Sequence, residues 1–164
     1  MESLFQWLYD TPVATAIRES GTLFPWIEST HVLAITLVVG SISIVDLRLL
    51  GLTSKNRAVS TLTGEVLPFT WIAFVVAAIT GLLLFSSNAV KYSHNIFFLS
   101  KMALLVVALA NMLIFHFITG RGIEHWDESP RVPAGVRLAG GVSLAVWIAV
   151  IACGRWIGFT MSAF

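Results

Sequence analysis

Four separate stretches of this chain are each apolar over the length a helix needs to cross a bilayer, roughly 20 residues for a hydrocarbon core of about 30 Å. They fall at about 25–52, 66–85, 95–119 and 140–160. A water-soluble fold would have to bury all four inside 164 residues, yet only 12% of the residues are charged and 57% are apolar. That is about half the charged share of an ordinary soluble domain, and the mean hydropathy of +0.86 agrees. The expected fold class is an all-α membrane protein: a four-transmembrane-helix bundle over 25–164, preceded by an N-terminal interfacial segment over 1–24. The breaks carry loop chemistry, with Thr53-Ser54-Lys55-Asn56-Arg57 after the first span and Ser86-Ser87-Asn88 after the second. A run rich in Gly, Pro and charge covers 120–137 after the third.

The opening Met1-Glu2-Ser3 lacks the basic start of a signal peptide. Residues 3–20 place Leu4, Trp7, Leu8, Val13 and Ile17 among Asp10, Arg18 and Glu19, a short amphipathic pattern broken at Thr11-Pro12. With Phe5, Trp7 and Tyr9 at one end, it suits a helix lying in the headgroup region. The formal net charge is +1, which gives nucleic acid no basic surface to bind. The one cysteine, Cys153, excludes an internal disulfide or a cysteine-based metal cluster within one chain. Arg48, Lys55 and Arg57 around the first loop and Arg121, Arg131 and Arg137 in the third stand against Arg18 and Lys91 on the other side. The positive-inside rule then places the first and third loops in the cytoplasm and both termini outside.

Ionisable groups within spans are costly, so each is a candidate for function. On the first helix Glu28, His31 and Asp46 fall on one face, and on the third His94, Lys101 and His116 do the same. Arg155 stands on the fourth, where Gly154 and Gly158 make a small-xxx-small pair suited to close helix approach or self-association. The second helix has no charge in its apolar span; Trp71, Thr80 and Gly81 give it the look of a supporting wall. Depth, at about 1.5 Å per residue, sorts these groups into an outer layer of Glu28, His31, His94, Lys101 and Arg155 and an inner layer of Asp46, Arg48, Asn111 and His116. His31 and His116 are then about 20 Å or more apart along the membrane normal and cannot share one ligand.

Imidazoles facing one another across a helical bundle are a means of holding a b-type haem. His31 is the principal candidate ligand, to haem iron or to copper, and His94 a second, with Lys101 and Arg155 as cations for the propionates. The alternative for His31 is a hydrogen bond that merely specifies packing. Glu28, Asp46 and His116 are candidates for an ion or proton relay; His116 also suits an interfacial position, and Asp46 a buried pairing with a cation on another helix while Arg48 reaches headgroups. Copper handling is thinly served by Met102, Met112 and Cys153. His125, among the carboxylates of the third loop, makes a weak metal site. No nucleophile-and-base pair, phosphate loop or zinc-protease motif is present. Three functions follow as expectations: a haem-binding or quinone-linked electron-transfer subunit, an ion or metal transporter or relay, and a structural subunit of a larger membrane complex or homo-oligomer.

The stretch Glu28-Ser29-Thr30-His31-Val32-Leu33-Ala34, followed by Gly40, Asp46-Leu47-Arg48-Leu49-Leu50-Gly51, Lys101 and His116, resembles a family of small uncharacterised bacterial inner-membrane proteins with four spans. The histidine at the outer end of the first span is also similar to that of copper resistance protein D and of four-helix b-type cytochromes. That second resemblance implies a haem or a copper ion near the outer face, carried by His31. The paired histidines at matched depth that mark di-haem cytochromes are not cleanly met.

Overall fold

A computed structural model describes residues 2–54, 56–119, 123, 126, 127 and 132–162. Its elements are helices throughout: α1 (Glu2–Tyr9), α2 (Pro12–Glu19), α3 (Leu23–Leu49), α4 (Val59–Ser87), α5 (Ala89–Ser93), α6 (Ile96–Ile114) continued by a π-helical turn (Phe115–Thr119), and α7 (Ala134–Ser162). Four of them, α3, α4, α6 with its π turn, and α7, are long and apolar enough to cross a membrane. They join in antiparallel succession, which brings both chain ends to the same side. α3 is flanked by α4 and α7, α7 in turn carries α6, and α4 and α6 are not packed on one another along their length.

The α3–α4 seam is fixed by two hydroxyl-bearing rungs. His31 Nδ1 lies 2.9 Å from Thr80 Oγ1, and Thr70 Oγ1 lies 2.7 Å from Ser41 Oγ. These two pairs set an antiparallel register in which Ala34 comes opposite Ala77 and Val38 opposite Ala73, all four buried. Small residues at three- and four-residue spacing let the backbones approach, which in lipid stands in for the missing hydrophobic drive.

The N-terminal segment differs from a single headgroup helix. Thr11 ends one helix and caps the next, its hydroxyl accepting from the Ala14 amide at 3.3 Å with Pro12 at the first helical position. Ala14 and Ile17 of α2 are buried against the bundle, while Leu4, Trp7 and Val13 stay exposed on the outer side. Arg18 pins the segment: it donates to the Tyr9 and Ser87 carbonyls, both at 3.2 Å, and its guanidinium lies 3.8 Å over the Tyr9 ring. Ser87 is the last residue of α4, so the cation also sits at the negative end of that helix dipole. Phe5, Phe85, Tyr92 and Phe98 complete the join, with Phe85 and Phe98 stacked at 5.1 Å.

At the opposite end two spans are longer than the apolar stretches suggest. α4 begins at Val59 rather than 66 and α7 at Ala134 rather than 140, because both extra turns are held by the third loop. Leu49, Val59, Trp126, Val132 and Val136 form a small buried core there. Asp127 caps α4 from outside its own sequence: the Ser60 amide donates to Asp127 Oδ1 at 2.8 Å and the Ser60 hydroxyl to Oδ2. Burial works to raise the Asp127 pKa, but the hydrogen bonds from Ser60 and Val59 and the nearby Arg48 guanidinium outweigh it and hold the carboxyl below its usual range. A group depressed in the folded state stabilises fully above the unfolded carboxylate pKa of about 3.9 and loses that contribution as pH falls through the folded value. Thermal midpoints in detergent should therefore drop below about pH 4, and Asp127→Asn should flatten that part of the profile while costing about 1 kcal/mol as a lost cap; an unchanged profile in the variant would count against the cap.

Candidate functional site

The His31 imidazole is half-buried between α3 and α4, and its surroundings fix its tautomer. Thr80 Oγ1 lies 2.7 Å from the Val76 carbonyl and 3.2 Å from that of Ala77, so its one proton goes back to its own helix, as is common for threonine in apolar helices. The hydroxyl oxygen is then the acceptor and His31 Nδ1–H the donor. The ring also has a hydrogen bond with the Ala77 backbone, so α4 holds His31 at two points one turn apart. The ring fits because position 81 has no side chain: a Cβ on Gly81 would come 2.9 Å from His31 Cε1. Thr80 and Gly81, read from sequence as a supporting wall, are thus the groups that orient the histidine.

Lys101 of α6 lies near enough to act electrostatically on His31, and Cys153 of α7 stands beside it. Gly154 faces Lys101, since a Cβ there would meet Nζ at 4.0 Å, an ordinary contact. The structure brings together His31, Thr80, Gly81, Lys101, Cys153 and Gly154, one constellation drawn from all four spans.

The other sequence candidates lie elsewhere. His94 is exposed, at the end of the five-residue helix α5 and outside the third span. His116 is exposed on the π turn, edge-to-face with Phe117 at 4.9 Å, as suits an interfacial residue. Arg155 is exposed too, its guanidinium 4.5 Å over the Phe159 ring, in a groove it shares with Glu28. His125 falls outside the described residues, and among those described no group of three His, Cys, Asp or Glu side chains is placed to hold a metal ion.

Two buried polar residues depart from expectation. Asp46 takes a hydrogen bond from the Ser143 side chain of α7 instead of pairing with a cation, and its Oδ2 is without a partner. Arg48 does not reach headgroups. It is 0% exposed, because its Nε donates to the Arg57 carbonyl at 3.0 Å and its Nη2 to the Asp127 carbonyl at 3.1 Å, clamping the first and third loops together. Both chain segments run past the end of α3, and their backbone oxygens supply closer partners than any phosphate. In the same inner layer Asn111 joins α6 to α7 by donating to the Ala139 carbonyl at 3.0 Å.

The chemistry available at His31 is that of an imidazole with Nδ1 anchored on Thr80 and Nε2 as its second nitrogen, near Lys101, in an apolar bundle. Such a nitrogen ligates a transition metal or accepts a proton from a bound hydroxyl group. No curated protein and no solved structure matches the chain. A family model matches residues 5–160, nearly the whole chain, and the protein therefore belongs to DUF6644, a family of unknown function.

Proposed function

We propose that this protein is a b-type haem-binding or quinone-linked electron-transfer subunit of a bacterial inner membrane, with His31 as the single protein ligand where haem is bound. The observation that carries the reading is the anchoring of His31: its Nδ1 is tied to Thr80, the arrangement in which an outer partner fixes a metal-binding imidazole through one nitrogen and leaves ligation to the other. Two features support it. α6 has no buried residue and packs chiefly on α7, which leaves α4 and α6 apart beside His31, joined near one end by the Phe85–Phe98 stack. Lys101 supplies a cation near the same histidine, suited to a propionate or to a quinone oxygen. The residues do not fit a haem held by two histidines, because His94 is exposed outside the spans. When bound, haem supplies one-electron transfer; the chain supplies the ligand, its tautomer and an apolar surround. The arginines and lysines of the first and third loops favour a cytoplasmic position for that end.

The test is the absorbance spectrum of protein purified in detergent after expression with ample haem. A Soret band and a reducible α band are expected, both lost in His31→Ala and both retained in His94→Ala. Gly81→Ala, which drives a methyl group against the imidazole, should shift or weaken the bands. A colourless wild-type protein would end the haem reading.

A further inference from the structure

We infer that the groove between α3 and α7 is a binding site for a zwitterionic phospholipid headgroup of the phosphatidylethanolamine type. Glu28, Ser29, Val32, Leu33 and Thr36 of α3 line a groove of about 510 Å³ together with Arg155 of α7. The five α3 residues fall on one stripe of the helix. The stripe changes character with depth: Glu28 is five residues from the start of α3, about 8 Å along it, and Thr36 lies about 12 Å deeper. Arg155, seven residues before the end of α7, stands about 10 Å from that end, level with Glu28.

The groove is thus charged and polar near the interface and apolar below it, where Val32 and Leu33 line it and the Thr36 hydroxyl is turned back onto the Val32 carbonyl at 2.9 Å, the polarity profile of a phospholipid. Its two charges have opposite sign, and among the described residues Glu28 and Arg155 do not form an ion pair, the one ion pair described being Arg57–Glu65 at the other end. A carboxylate and a guanidinium that face one groove without joining complement a ligand carrying both an ammonium and a phosphate. The Glu28 carboxylate accepts from the ammonium and the Arg155 guanidinium donates to the phosphate. One acyl chain then runs over Val32 and Leu33, both exposed. Trp26, 73% exposed, lines an adjoining depression that shares Ser29 with the groove, and an indole there suits the headgroup level. An anionic headgroup lacks the ammonium and meets Glu28 as a like charge. Nothing in this site depends on His31 or on a cofactor.

Native mass spectrometry of the full-length protein, released from detergent with equimolar phosphatidylethanolamine and phosphatidylglycerol of matched chains, reads the preference directly. Retention of the ethanolamine lipid about fivefold over the glycerol lipid is expected, the effect of roughly one interfacial charge contact. E28Q should move the ratio toward phosphatidylglycerol, and R155Q should lower retention of both. The change of preference in E28Q is a readout that loss of folding does not imitate. Equal retention by the wild type, a ratio unmoved by E28Q, or a lipid-free dimer with the groove covered by a second copy would each overturn the assignment.

Discussion

Arg48→Ala should be the most damaging single substitution outside the His31 site, lowering unfolding free energy by about 3 to 5 kcal/mol through the loss of two hydrogen bonds from a charged donor. The side chain is fully buried and donates to two carbonyls, of Arg57 and Asp127, that belong to different loops. Hydrogen bonds to a charged group contribute about 1.5 to 3 kcal/mol each. Truncation also leaves both carbonyls without their donor and opens a void at a fully buried position. Arg48→Met refills volume but supplies no donor, so it should recover only part of the loss. Arg48→Lys retains charge but cannot bridge two divergent carbonyls with one planar group. Denaturant or SDS titration in detergent micelles reads the ordering wild type, then Met, then Ala; an alanine variant with an unshifted midpoint would show that the clamp contributes nothing.

The spans were legible because their signal is continuous: some twenty apolar residues in a row have few alternatives in any solvent. Their ends at the first and third loops were not. Val59 to Glu65 includes Ser60, Thr61, Thr63 and Gly64, which read as loop, and helix forms there because Asp127, more than sixty residues away, supplies the cap. Local sequence carries no trace of a partner so distant. Helical periodicity placed Glu28 and His31 on one face of the first helix but could not say which neighbour that face meets. The structure divides them, His31 turning to α4 and Glu28 to the α7 groove. On α4, Thr70, Ala73, Ala77 and Thr80 repeat at three- and four-residue spacing, a seam visible in sequence to a reader looking for small residues. Depth arithmetic put His31 and Lys101 in one layer, and the structure has them within electrostatic reach of one another; His94, at the edge of the third span in sequence, is the end of α5 because Asn95 caps α6.

Gly140 and Gly141 of α7 are neighbours in sequence with opposite expected responses to alanine. A Cβ at Gly140 would come 2.9 Å from Leu49 Cβ and 3.1 Å from the Asp46 carbonyl oxygen. Neither contact is the far end of a flexible side chain, so no rotamer change relieves it, and α3 and α7 must move apart where Asp46 and Ser143 join them. Overpacking of this kind costs about 1 to 3 kcal/mol, against a gain of up to about 1 kcal/mol in helix propensity, and Gly140→Ala should destabilise. At Gly141 a Cβ would meet only Leu50 Cδ2, at 3.6 Å, an ordinary contact, and the propensity gain should make Gly141→Ala neutral or stabilising. The pair separates backbone approach from glycine flexibility: if flexibility mattered, both substitutions would act alike. Equal midpoints for the two variants would show that α3 and α7 are not held at this distance, and the Asp46–Ser143 contact would lose its structural basis with it.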